Sequence, residues 1–130
     1  MTKIISFLKF IFYTSTLFLI LLSLFPGSLL GLLFYGDLGK QPNLIENPFG
    51  TTINHFIFYF YVSILGFFLY FKSENYNKLV YALFFLSIIL ETLHSIIPNR
   101  AFQAGDLLGN ILGVLAAYFL VKIYLHLKKP

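Results

Sequence analysis

Between Glu91 and Asn110 the chain carries Glu91, His94, Arg100, Asp106 and Asn110, set in a sequence that otherwise reads like hydrocarbon. Glu91 and His94 are three residues apart and share a helix face; Asp106 and Asn110, four apart, share another. A carboxyl group beside an imidazole is the pairing that general acid–base chemistry uses, with His94 or His55 as proton partner to Glu91. Arg100 offers a planar fork of donors suited to a phosphate or carboxylate, and Asp106 and Asn110 stand next to it to position such an anion. These make Glu91, His55 and His94 the candidate catalytic groups and Arg100, Asp106 and Asn110 the candidate substrate-binding groups.

Blander readings exist for the same residues. Arg100 and Asp106 can close a hairpin as an ion pair, with Asp106 also capping the helix that follows. Glu91 and His94 can be a hydrogen-bonded pair that only fixes helix register. His55, His94, Glu91 and Asp106 are residue types that suit zinc. No His-x-x-x-His or similar spacing joins them, so no metal and no cofactor is assigned. The chain has no cysteine, which excludes disulfides, thiolate nucleophiles and Cys-based metal sites. No Ser-His-Asp order or nucleotide fingerprint occurs, and Gly105–Gly109 lacks the preceding strand that a dinucleotide site requires.

The elements that hold these residues are apolar. Hydrophobic residues make up 58% of the 130 and charged ones 11%, against about 25% charged in soluble domains. Too little polar material is present to coat a globule, and the chain reads as an integral membrane protein. Four apolar runs, at residues 4–25, 53–71, 79–97 and 107–125, are each long enough to approach or cross a hydrocarbon core of about 30 Å at 1.5 Å per residue. The first ends without an A-x-A cleavage pattern, so it is read as a span and not a signal peptide.

The expected fold is therefore all-α: a single domain, 1–130, built as a bundle of four transmembrane helices, since only helices and closed barrels satisfy the backbone in lipid. Residues 26–52 form a linker rich in Gly and Pro, whose apolar piece 29–35 is too short to span and is expected to lie at the interface or dip partway in. Gly105, Gly109, Gly113 and Ala117 recur every four residues, a ridge that lets two helix backbones approach closely.

Lys3, Lys9, Lys72, Lys78, Lys122, Lys128 and Lys129 fall on one side of this layout, and Lys40 and Arg100 on the other. The excess places both termini in the cytoplasm and the 26–52 linker outside. His55 then joins Arg100, Asp106 and Asn110 at the outer end, with Glu91 just outside the midplane. Polar groups in a span must face the bundle interior or a wet cavity. Clustered lysines on such a protein report orientation, so no nucleic-acid partner is expected. The inner halves of the second and fourth spans are almost wholly apolar, which argues against a transport path. His126, at the inner end, is read as interfacial.

His55-Phe56, Glu91, His94, Pro98-Asn99-Arg100-Ala101-Phe102, Asp106, Asn110 and Gly113 form an ordered set that resembles the VanZ-like family of bacterial membrane proteins. The likeness runs from Thr51 to Gly113. Thr51-Thr52 and His94 stand where that family commonly has Asp-Lys and Gln. The resemblance implies a multi-pass protein of the bacterial cytoplasmic membrane, among membrane lipids, and a phenotype of altered susceptibility to glycopeptides such as teicoplanin. Joined to the polar residues, it leads to the expectation of a site facing the outer leaflet that recognises or modifies an anionic lipid-linked envelope component. The alternative from another class is a non-catalytic membrane interaction protein whose polar core is structural. Oligomeric state is not legible.

Overall fold

The computed structural model describes residues 2–128, so Lys129 of the orientation count lies outside the described residues. The chain is all-α: α1 Thr2–Leu24, α2 Leu29–Tyr35, α3 Thr52–Tyr70, α4 Tyr76–Leu93 and α5 Ala104–Leu127. Four of these, α1, α3, α4 and α5, are long and apolar enough to cross a membrane. Large apolar side chains such as Phe10, Phe85, Phe119 and Leu127 point outward, while Glu91, Asp106, Asn110, Ser63 and Ser87 are buried. That inverted distribution suits a hydrocarbon solvent, where polar groups must be satisfied inside the bundle.

The closest pairing is α3 with α5, and the glycine ridge makes it. A methyl group on Gly109 would sit 2.5 Å from the Thr52 carbonyl oxygen, and one on Gly113 would sit 2.6 Å from that of Phe56. Only glycine permits backbones this close. The first helix docks through Phe12, whose ring fills the notch left by Gly66 on α3. Below the site, Phe67 packs edge-on against Tyr76 and Tyr118, joining α3, α4 and α5.

The short apolar piece of the linker is the helix α2. Ser28 caps its start by accepting from Gly31 N–H (2.9 Å), and Gly36 ends it in the left-handed region at φ 68°. Gly31 is required by contact: a side chain there would overlap the Lys40 carbonyl oxygen. The rest of the linker is tied down by Asn54, which donates to Pro42 O (2.7 Å) and accepts from Leu44 N–H (2.9 Å).

The third long helix stops at Leu93, short of the expected residue 97. From His94 to Ile96 the amides bond back three residues to Glu91, Thr92 and Leu93, and the chain tightens. Ser95 Oγ takes the Thr92 carbonyl, and Pro98 has no N–H with which to continue. Asn99 follows at φ 58°, a left-handed conformation that Asn tolerates better than most side chains, and it turns Arg100 back over the bundle.

Candidate functional site

One end of the bundle holds the starts of α3 and α5, the ends of α1 and α4, and the linker over them. Glu91 lies fifteen residues into α4 and two from its end, roughly 22 Å from its start at 1.5 Å per residue. It therefore sits nearer the helix end than the sequence alone indicated.

His55, on the first turns of α3, is the hub. Its Nδ1 is 2.8 Å from Asn110 Oδ1 and its Nε2 is 3.3 Å from Asp106 Oδ2. Asn110 Nδ2 donates to the Ser87 carbonyl at 3.1 Å, which turns the amide oxygen toward the ring. The opposite amide orientation would set oxygen against oxygen at Ser87. An amide oxygen only accepts, so His55 Nδ1 carries its proton and Nε2 presents its remaining valence to Asp106.

Asp106 does not cap α5. Gln103 occupies the cap position without a side-chain cap bond. The aspartate instead accepts from Thr51 Oγ1 at both oxygens (3.1 Å each) and from Thr52 Oγ1 at 3.3 Å. Thr51 and Thr52 thus join the site, although residue type alone does not mark them for it. The signals for them are their place where the VanZ-like family commonly has Asp-Lys and their position opposite a helix-start aspartate once the helices pair.

Glu91 is fully buried. Its Oε1 accepts from Gln103 N–H at 2.9 Å, so the carboxylate satisfies an amide at the mouth of α5. Its Oε2 lies 3.1 Å from His94 Nδ1 and 3.9 Å from His55 Nδ1, yet the geometry gives that oxygen no hydrogen bond. His94 Nε2 is 3.0 Å from the Ser23 carbonyl. A carbonyl only accepts, so Nε2 holds a proton, and Nδ1 meets Glu91 either with a lone pair or with a second proton. A carboxylate and an imidazole nitrogen 3.1 Å apart are within the reach that proton transfer requires.

Arg100 departs from its expected partner. Among the described residues it forms no ion pair with Asp106; it donates from Nη2 to Leu22 O (2.6 Å) and from Nε to Phe25 O (3.2 Å). Those carbonyls end α1 and lack helical partners. A cation at the negative end of a helix dipole is favourable there, which explains why the ion pair loses. Burial draws the Arg100 pKa down, while the nearby Glu91 and Asp106 charges oppose that pull. Two of its five N–H donors are occupied, leaving three.

Two cavities meet at this end of the bundle, with Glu91 and Asn110 in the wall of neither. One is small and largely apolar, about 70 Å³, between α1, α2 and α3; His55, Asn54, His94 and Arg100 lie in its wall. The other is a polar basin of about 320 Å³, lined by Gln41, Asn99, Gln103 and Asp106 among others. Ser28, Gln41, His94 and Arg100 border both. His55, Glu91 and Asp106 also form a set of metal-type donors in which one ligand atom of each lies within 4.8 Å of the others. They come from three different helices, so no spacing motif along the chain could register them.

The model of the VanZ/LLP1 family matches residues 4–125. The chain belongs to the VanZ/LLP1 family. The match takes in α1, which the resemblance over 51–113 did not, and the first helix is thus part of what the family shares. Comparison with curated proteins and with solved structures gives no match. This VanZ/LLP1 protein is a multi-pass membrane protein with a buried polar cluster of His55, Glu91 and Asp106.

Proposed function

We propose that this VanZ/LLP1 protein sits in the bacterial cytoplasmic membrane with both termini inside, and that its cavity end faces the outer leaflet. There it recognises an anionic lipid-linked component of the cell envelope, and Glu91 with His94 or His55 moves the proton of a reaction on it. The observation that carries the reading is the junction of the two cavities. A polar basin and an apolar chamber that share Arg100 and His94 suit an amphiphile with an anionic head and a hydrocarbon start. Arg100 has three N–H donors left for a phosphate or carboxylate, Asn110 fixes the His55 ring, and Asp106 lines the basin. By family, altered glycopeptide susceptibility is the phenotype to look for.

A second reading is favoured by one observation: both bonds of Arg100 staple α1 to the α4–α5 loop. On that reading the polar core is structural and the protein is a non-catalytic membrane partner.

Native mass spectrometry of the purified protein separates the two. The wild type should retain a phosphate-bearing lipid. Glu91→Gln keeps an acceptor for Gln103 N–H and should retain the lipid and the fold while losing function in cells. A wild type carrying no anionic lipid, together with full function of Glu91→Gln, sinks the proposal and leaves the structural reading.

A further inference from the structure

We propose that His55, Glu91 and Asp106 form a binding site for a divalent transition-metal cation of the Zn²⁺ or Mn²⁺ type, with His55 Nε2 and a carboxylate oxygen of each acid as ligands. Three independent features lead to this site.

The first is the distance between His55 Nε2 and Asp106 Oδ2. A charge-assisted N–H···O contact closes to about 2.7–2.9 Å, whereas this one stands at 3.3 Å. Two donors each about 2.1 Å from an ion at the tetrahedral angle lie roughly 3.4 Å apart. The pair is spaced for a shared cation.

The second is the state of the imidazole. Asn110 Oδ1 holds the proton on Nδ1, which leaves Nε2 as the ring nitrogen facing Asp106. A metal-binding histidine is prepared this way, with its other ring nitrogen donating to a fixed oxygen. Asp106 is prepared likewise, by the Thr51 and Thr52 hydroxyls.

The third is the orphaned oxygen. Glu91 is fully buried and anchored through Oε1, while its Oε2 makes no well-directed hydrogen bond and only a charged contact with His94 Nδ1 at 3.1 Å. A buried carboxylate oxygen without a well-aligned donor carries a desolvation cost. A ligated cation answers that cost and offsets two carboxylates held close together.

Three protein ligands leave a tetrahedral ion one open position, the pattern of reactive sites and not of closed structural ones. Asp106 borders the polar basin and His55 the apolar chamber, so two of the three ligands are reachable from the cavities. The cation would take up a phosphate oxygen or a water molecule there and make it more acidic. Binding of the ion stands independently of the lipid reading; only its use rests on that reading.

The test uses the full chain, purified in detergent with a chelator and then dialysed against Zn²⁺ or Mn²⁺ alone. About one equivalent per chain should remain by elemental analysis, and pulsed electron paramagnetic resonance of the Mn²⁺ form should show coupling to an imidazole nitrogen. His55→Gln should remove that coupling and weaken binding at least tenfold. Asp106→Asn, which keeps an acceptor for the threonines, should also weaken binding at least tenfold, and it carries the test if His55→Gln does not fold. His126→Gln, outside the cluster, should bind as the wild type does. Less than a tenth of an equivalent of either ion overturns the proposal. So does equal loss in His126→Gln, or retained binding in a folded Asp106→Asn. Metal without lipid in the wild type would leave this site standing while removing the function proposed above.

Discussion

Replacing Gly113 by alanine asks whether the glycine ridge and the polar site are one mechanical unit. The added methyl would lie 2.6 Å from Phe56 O and 2.9 Å from Phe60 N, against 3.4 Å for ordinary contact. Both obstacles are backbone, so no side chain can swing away, and α3 and α5 must part by about 0.8 Å there. The His55–Asn110 contact of 2.8 Å spans the same two helices one turn nearer the site. Opened by that amount it reaches about 3.6 Å, beyond hydrogen-bonding distance. Overpacking costs about 1–3 kcal/mol, and stranding the half-buried His55 nitrogen and the buried Asn110 oxygen adds about 1–3 kcal/mol. At roughly 4 °C per kcal/mol, the Tm should fall by about 8 °C or more. Thermal melting in detergent measures this, with Leu108→Ala, on the exposed face of the same helix, as the neutral reference. A Gly113→Ala protein melting within about 2 °C of wild type would refute the reasoning.

Two further outcomes follow from the Arg100 staple and from the lysine count. Arg100→Gln removes the charged donors at Leu22 and Phe25, worth about 1.5–3 kcal/mol each. It should lower the Tm and speed proteolysis of the linker at residues 36–50, while Arg100→Lys recovers part of the loss; equal proteolysis rates would deny the staple. For orientation, Glu74→Cys in the exposed α3–α4 loop should resist an impermeant thiol reagent on intact cells, and the exposed Gln103→Cys should react. The reverse labelling would move the cavities to the cytoplasmic side.

The architecture was written in composition and run length: four apolar stretches of the right size become the four long helices. The ridge at Gly109 and Gly113 was legible because a fixed spacing of four has one physical use in lipid. Glu91 and His94 were legible as a pair because their contact is local. What sequence could not show depends on backbone atoms or on distance along the chain. Arg100 is satisfied by carbonyls of Leu22 and Phe25, and a carbonyl leaves no trace in residue identity. Its obvious partner Asp106 was instead claimed by Thr51, Thr52 and His55, more than fifty residues away in sequence. The early end of α4 reflects tightened i to i−3 bonds, which the return of apolar residues at Ile96 and Ile97 concealed.

The bonds around His55 and Arg100 also impose an order on biogenesis. His55 meets Asn110 across 55 positions, and Arg100 meets Leu22 across 78. While the chain is being delivered to the membrane, α1 waits with open carbonyls and α3 with an unpartnered imidazole. Neither is relieved until the segment from Arg100 to Asn110 has emerged and inserted. A product truncated before α5 would leave His55 without Asn110 and Asp106, and Glu91 Oε1 without the Gln103 amide. The same polar groups that make the finished bundle a candidate receptor therefore also report whether its synthesis was completed.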